Sequence, residues 1–176
     1  MTTTYKDIEV QAINIHYVEA GEPSKPTILL LHGFPSDSNQ FRDLIPLLSQ
    51  DYHILAPDLP GFGLTASPPD FKYTFENMAF VIGAWLDELK VMYAMYIFDY
   101  GAPVGLRLAL RNPSHVKAII SQNGNAYDEG FGQDFWAPLQ ALWKSGNAKK
   151  ERQVLIDNAL TLEFTKWQYT GEYFEF

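Results

Sequence analysis

The stretch Tyr93-Ala94-Met95-Tyr96-Ile97-Phe98-Asp99-Tyr100-Gly101-Ala102-Pro103 is an apolar run that ends on an acid and passes at once into glycine and a helical pattern. A strand, a sharp turn and a helix there lift one side chain, Asp99, out at the top of a sheet, and the backbone N–H of Tyr100 then points at whatever that side chain attacks. A carboxylate so placed can act as a nucleophile. The same residue can equally be a helix N-cap, since acids are favoured at helix starts. The segment alone leaves both roles open, and the strand tips elsewhere decide.

Those tips come from a regular alternation. Thr27-Ile28-Leu29-Leu30-Leu31 is a continuous apolar run, as expected of a parallel strand buried on both faces. It leads into His32-Gly33-Phe34-Pro35, and a short helix is expected from about Asn39 to Leu48. Tyr52 to Pro57 predicts another buried strand, ending in Asp58-Leu59-Pro60-Gly61-Phe62-Gly63. Thr74 is a good N-cap, with Tyr73 able to staple onto Met78, and Phe75, Met78, Ala79, Ile82, Trp85, Leu86 and Leu89 recur at helical spacing. Met92 to Phe98 is a strand, Gly101 to Arg111 a helix with Pro103 in its first turn, and Val116 to Ser121 a strand running into Gln122-Asn123-Gly124-Asn125. Two short strands, Tyr5 to Val10 and Ile13 to Glu19, precede all of this. Strands alternating with helices imply parallel pairing and a layered α/β fold. After Asn125 the apolar residues, Phe135, Trp136, Leu139, Leu142 and Trp143 among them, suggest helices with aromatic faces.

The bulk composition narrows the function classes. The chain has 176 residues, 47% hydrophobic and 15% aromatic, enough for a real core. A net charge of −8 argues against nucleic acid and against an anionic membrane surface. There is no cysteine, hence no disulfide framework and no thiolate metal site. The N-terminus lacks the apolar core of a signal peptide and no apolar run approaches spanning length, so a soluble, cytoplasmic protein is expected.

His32-Gly33-Phe34-Pro35 gives a glycine at a strand tip, where backbone can approach a substrate closely. The N–H of Phe34 with that of Tyr100 would make a two-donor oxyanion hole; an ordinary strand-to-loop turn is the plain alternative. Gly61-Phe62-Gly63-Leu64-Thr65-Ala66 matches a loose dinucleotide fingerprint, but Pro68-Pro69-Asp70 follows where that motif needs a helix.

Taken in order, the tips His-Gly-Phe-Pro, Asp-Leu-Pro-Gly-Phe-Gly and Asp-Tyr-Gly-Ala-Pro resemble the α/β-hydrolase superfamily. The aspartate at the elbow resembles the branch of epoxide hydrolases and haloalkane or haloacid dehalogenases. The resemblance covers residues 5 to about 125 well and the rest loosely, as the start of a cap. It implies a three-layer α/β-hydrolase fold with a mostly parallel sheet and helices on both faces, truncated before the last strands. It divides the chain into a core over 1–125 and the start of a helical cap over 126–176. It implies that Asp99 is the nucleophile, forming an alkyl-enzyme ester, and that Phe34 and Tyr100 form the oxyanion hole. His32, Pro35, Asn123, Phe135 and Trp136 are expected to line the substrate pocket. No metal and no organic cofactor are implied, and the expected partner is a small apolar molecule. Three positions depart from the pattern: Ile97 where the elbow usually has a small residue, Tyr100 where dehalogenases usually place tryptophan, and Phe34 where they tend to have a polar halide ligand.

In this family a histidine, oriented by a second acid, follows the nucleophile in chain order and activates water to cleave the ester. The four histidines are His16, His32, His53 and His115, none beyond residue 115 and none a convincing base. The expectation is therefore the N-terminal two-thirds of a hydrolase that does not turn over alone. Its strand at 116–121 is expected to be an open apolar edge, met by a second copy or by a complementing C-terminal fragment. The competing expectation is a non-catalytic binding or regulatory fragment of the same fold. A serine esterase is excluded because the elbow carries no serine.

Overall fold

The computed structural model describes residues 3–130 and 132–170. The chain divides into two compact units, Met1–Ala126 and Tyr127–Phe176. In the first unit, six strands form one sheet: β1 (Thr4–Val10), β2 (Ile13–Ala20), β3 (Thr27–Leu31), β4 (His53–Pro57), β5 (Tyr93–Phe98) and β6 (Val116–Gln122). Their order is β1-β2-β4-β3-β5-β6. β1 and β2 pair antiparallel, as do β2 and β4; β4, β3, β5 and β6 are parallel.

Alternation along the strands sorts the core onto two faces. Leu29 and Leu31 of β3, with Ile15, Tyr17, Leu55, Met95 and Ile97, face α2 (Phe75–Leu89) and α3 (Gly101–Arg111). Ile28 and Leu30, with Val18, Ile54 and Ala56, face Phe41 and Ile45 on the other side. All five residues of β3 are buried, as its unbroken apolar run predicts. Thr74 caps α2 by accepting a hydrogen bond from Asn77 N–H. Tyr73, expected to staple onto Met78, is instead 57% exposed and packs edge-on against Phe71. The single helix expected over Asn39 to Leu48 resolves into a 3-10 turn, Ser38–Phe41, and a four-residue helix α1, Ile45–Leu48. Asp37 caps the turn, and Pro46 in the first turn of α1 lacks the N–H that would join it to the turn before. At the far edge, Ile119 and Ile120 of β6 are 45% and 53% exposed.

The described part of the second unit holds a 3-10 turn, Asp128–Gly130, and the helices α4 (Gln133–Lys144), α5 (Lys149–Asn158) and α6 (Leu162–Thr170). Among the described residues no helix is long and apolar enough to cross a membrane.

A row of polar side chains ties four neighbouring strands together. Lys6 of β1 pairs with Glu19 of β2. Glu19 Oε1 lies 2.9 Å from His53 Nε2 of β4, and His53 Nδ1 lies 3.1 Å from Thr27 Oγ1 of β3. Burial pushes the Glu19 carboxyl up, but its bonds to Lys6 and His53 outweigh burial and hold it below 4.5. The bond to Glu19 raises the Lys6 ammonium above 10.5. A depressed carboxylate contributes stability present above its unfolded pKa and lost as pH falls through the folded one; a raised ammonium contributes below its unfolded pKa and loses it as pH rises. Glu19→Gln should therefore cost about 1–3 kcal/mol at pH 7. Urea unfolding of both chains across pH should show that gap narrowing below 4.5 and again above 10.5. A gap independent of pH would remove charge from the account.

Candidate active site

The four residues that follow the parallel strands, His32 after β3, Asp58 after β4, Asp99 after β5 and Asn123 after β6, all stand at the carboxyl ends of the sheet. Open α/β sheets bind their ligands there. Asp99 sits in the turn between β5 and α3 with φ +47°, a left-handed conformation that costs a non-glycine residue about 1–3 kcal/mol. The turn closes with Ala102 N–H donating to the Asp99 carbonyl at 2.9 Å. Gly101 permits it, because a Cβ there would run into the Leu31 carbonyl. Gly101→Ala should therefore push α3 off β3 and lower the melting temperature by several degrees, about 2–4 °C per kcal/mol lost, which calorimetry can read.

The carboxylate of Asp99 is held on one side only. Phe34 N–H and Tyr100 N–H each donate to its Oδ1 at 2.7 Å. Among the described residues no hydrogen bond reaches Oδ2. Gly33 allows the approach: a Cβ on it would lie 2.5 Å from Asp99 Cβ and 2.9 Å from Oδ1. The two strand tips thus converge on one oxygen, and among the described residues the other accepts no hydrogen bond, with the amino terminus of α3 adding its dipole.

The rings of the two donor residues, Phe34 and Tyr100, belong to an aromatic cluster. Phe34 lies 5.5 Å from Tyr100 and 6.3 Å from Phe62 between ring centroids, and Phe62 lies 6.1 Å from Tyr100. Phe75 of α2 meets Tyr100 edge-on at 5.0 Å. Burial first, and the Asp99 charge second, raise the Tyr100 phenol, which stays a neutral O–H at neutral pH. Phe62 is not among the expected site residues; its signal was the glycine pair around it in Pro60-Gly61-Phe62-Gly63, which marks a tight turn at a strand tip.

His32, expected in the pocket lining, is fully buried and acts as a brace. Leu59 N–H donates to its Nε2 at 2.9 Å, so that nitrogen carries no proton and Nδ1–H donates to the Gly33 carbonyl at 3.1 Å. Burial lowers its pKa despite the Gly33 bond, in keeping with a fixed neutral ring. Asp58 is a latch of the same kind: it is 2% exposed, and its carboxylate accepts from Ser38 N–H and Leu64 N–H, both at 2.8 Å. Pro35 is exposed beside Phe34, and Asn123 is exposed at φ +51°. Phe135 and Trp136 lie on α4 of the second unit; Trp136 is half-buried, and the side chain of Phe135 lies outside the described residues. Among the described residues no group of three or more His, Asp or Glu is placed to hold a metal ion.

The remaining histidines have other partners. His16 Nδ1 lies 3.0 Å from Asp7 Oδ1, His53 belongs to the Glu19 row, and His115 precedes β6 at the amino end of the sheet.

Comparison with known proteins agrees with this geometry. A family model described as alpha/beta hydrolase fold matches residues 26–165. An uncharacterized hydrolase of Saccharomyces cerevisiae is 54% identical over 143 residues, covering 80% of this chain and 49% of that protein. The crystal structure of the haloalkane dehalogenase DatA from Agrobacterium tumefaciens C58 superposes with a TM-score of 0.77 at 29% identity, covering 94% of this chain and 56% of that one. An epoxide hydrolase variant of Vigna radiata gives 0.62 at 34% identity, covering 68% and 38%. The chain spans about half the length of the curated relatives it matches. The match across residues 26–165 and the elbow at Asp99 lead to one assignment: the chain belongs to the α/β-hydrolase fold family and is similar to its dehalogenases and epoxide hydrolases.

Proposed function

We propose that Asp99 is the nucleophile of an epoxide hydrolase or dehalogenase type of reaction. The observation that carries this is the one-sided hold on its carboxylate: Oδ1 accepts two backbone N–H groups at 2.7 Å, while among the described residues no hydrogen bond reaches Oδ2. In the first step Oδ2 attacks an sp³ carbon, a C–O bond forms, and the bond from that carbon to halide or epoxide oxygen breaks with its electron pair: a halide leaves as the free ion, and an epoxide oxygen stays on the alkyl group and takes a proton from water. The product is an alkyl ester of Asp99. Its carbonyl oxygen is Oδ1, already at the two N–H donors that would stabilise a tetrahedral intermediate in ester cleavage. The rings of Phe34, Phe62 and Tyr100 favour a small apolar substrate.

The test is intact-protein mass after incubation with a panel of epoxides and alkyl halides, followed by peptide mapping. The expected result is one adduct per chain, on Asp99. Labelling spread over other carboxylates, or none with any member of the panel, overturns the proposal.

A further inference from the structure

We infer that Gln40 is a positioning residue for the oxyanion loop, holding the Phe34 N–H at Asp99; the inference rests on the role proposed for Asp99. The donor N–H belongs to Phe34, but Phe34 itself is 42% exposed and does little to fix its own backbone. The residue before it is pinned on both sides. Gly33 N–H donates to Gln40 Oε1 at 3.2 Å. The Gly33 carbonyl accepts from Ser36 N–H at 2.9 Å and from His32 Nδ1–H at 3.1 Å. Because a backbone N–H only donates, the oxygen of the Gln40 amide is the group that faces it.

Gln40 is itself well anchored. It lies in the turn Ser38–Phe41, whose first N–H is held by Asp58 Oδ1 at 2.8 Å and whose Asn39 N–H is held by Asp37 Oδ1 at 2.8 Å. The next residue, Phe41, is 3% exposed and packs edge-on against Tyr96 of β5 at 5.7 Å. Gln40 therefore ties the loop after β3 to the tip of β4 and to β5, the strand that carries Asp99. Without an acceptor there, Gly33 N–H is left buried and unpaired. Rotation of the His32–Gly33 peptide relieves this, and the change in the Gly33 backbone passes on to the next peptide, whose N–H is the Phe34 donor to Oδ1. His32 braces the carbonyl side of the same residue, so neither support replaces the other.

The test compares Gln40→Met, which keeps length and removes the acceptor, with Gln40→Glu, which keeps the acceptor. Amide hydrogen exchange is read by NMR on the whole chain at Phe34, with Leu30 of β3 as the fold control. In Q40M the Phe34 amide should exchange about tenfold faster with Leu30 unchanged, and in Q40E it should stay within about threefold of the native chain. With styrene oxide as probe, Q40M should lower the maximal rate of Asp99 labelling by about ten- to a hundredfold and leave the half-saturating concentration unchanged. Equal Phe34 exchange in Q40M and the native chain overturns the inference, as does equal loss in Q40M and Q40E. If Q40M loses protection at Leu30 too, Gln40→Asn, one methylene too short to reach, takes its place, and native exchange at Phe34 in that variant is equally fatal. Failure of the native chain to label with any member of the epoxide and halide panel sinks the role of Asp99 and leaves the exchange result to judge Gln40 by itself.

Discussion

Asp99→Asn should abolish covalent labelling, by at least about 10³-fold, while leaving the melting temperature within about 2 °C. The two expectations have separate physical grounds. An asparagine carbonyl in the same rotamer still accepts the Phe34 and Tyr100 N–H groups that hold Oδ1. Asparagine also tolerates the positive φ of +47° better than most residues. The fold thus keeps both hydrogen bonds and loses only the attraction between the carboxylate charge and the α3 dipole, roughly a few tenths of a kcal/mol. What disappears is the second oxygen: the amide nitrogen that replaces Oδ2 has its lone pair delocalised into the carbonyl and does not attack an sp³ carbon. Rates of adduct formation by mass spectrometry, with thermal melts of both chains, decide the matter. A variant that labels at the native rate on an intact fold makes some other group the nucleophile. A variant that melts well below the native chain assigns Asp99 a mainly structural role.

The elbow was legible before any coordinates because its requirements are local. An acid, a glycine and a helix start in direct succession leave the chain one economical path, and Gly101 against the Leu31 carbonyl shows why the glycine is needed. The buried strands were legible for a similar reason: an unbroken apolar run such as Thr27–Leu31 has few homes other than a sheet covered on both faces. Ile97 illustrates a limit. It occupies a position where a small residue is usual, and it fits because Gly105, eight residues on, faces it: a Cβ on Gly105 would lie 2.5 Å from Ile97 Cγ2. The compensation is a three-dimensional pair, invisible to a reading of the elbow alone.

The supports of the site were not legible. A histidine at a strand tip looks the same in sequence whether it lines a pocket or braces a loop. His32 is a brace because its two ring nitrogens meet Leu59 N–H and the Gly33 carbonyl, partners far apart or adjacent in the chain without any shared motif. Asp58 and Gln40 bond to backbone groups, and any residue supplies a backbone group, so no residue pattern announces them. Beyond Asn125, periodicity marks α4 to α6 as helices with aromatic faces, but a period names a face and not what it packs against.

With an alkyl halide, the chain of 176 residues should stop at the ester: one equivalent of halide released, then no further turnover. Cleaving the ester requires a base within hydrogen-bond reach of the attacking water. None of the four histidines is free for that task. His32 is fully buried with both nitrogens engaged, His16 faces Asp7, His53 faces Glu19, and His115 stands at the opposite end of the sheet from Asp99. On the role proposed for Asp99, the hydrogen bonds to Oδ1 would still stabilise a tetrahedral intermediate, but loss of general-base help is worth about 10²–10⁴-fold and would leave the ester long-lived. Rapid-quench product analysis should therefore show a burst of one equivalent per chain and a mass adduct persisting after excess substrate is removed. Molar imidazole in the buffer should speed its decay measurably yet fall far short of a positioned base, whose effective concentration reaches about 10⁵–10⁸ M. If imidazole has no effect although the adduct is present, access of water and not the missing base limits the second step. Sustained multiple turnover by the monodisperse chain would mean that a group other than these histidines activates water.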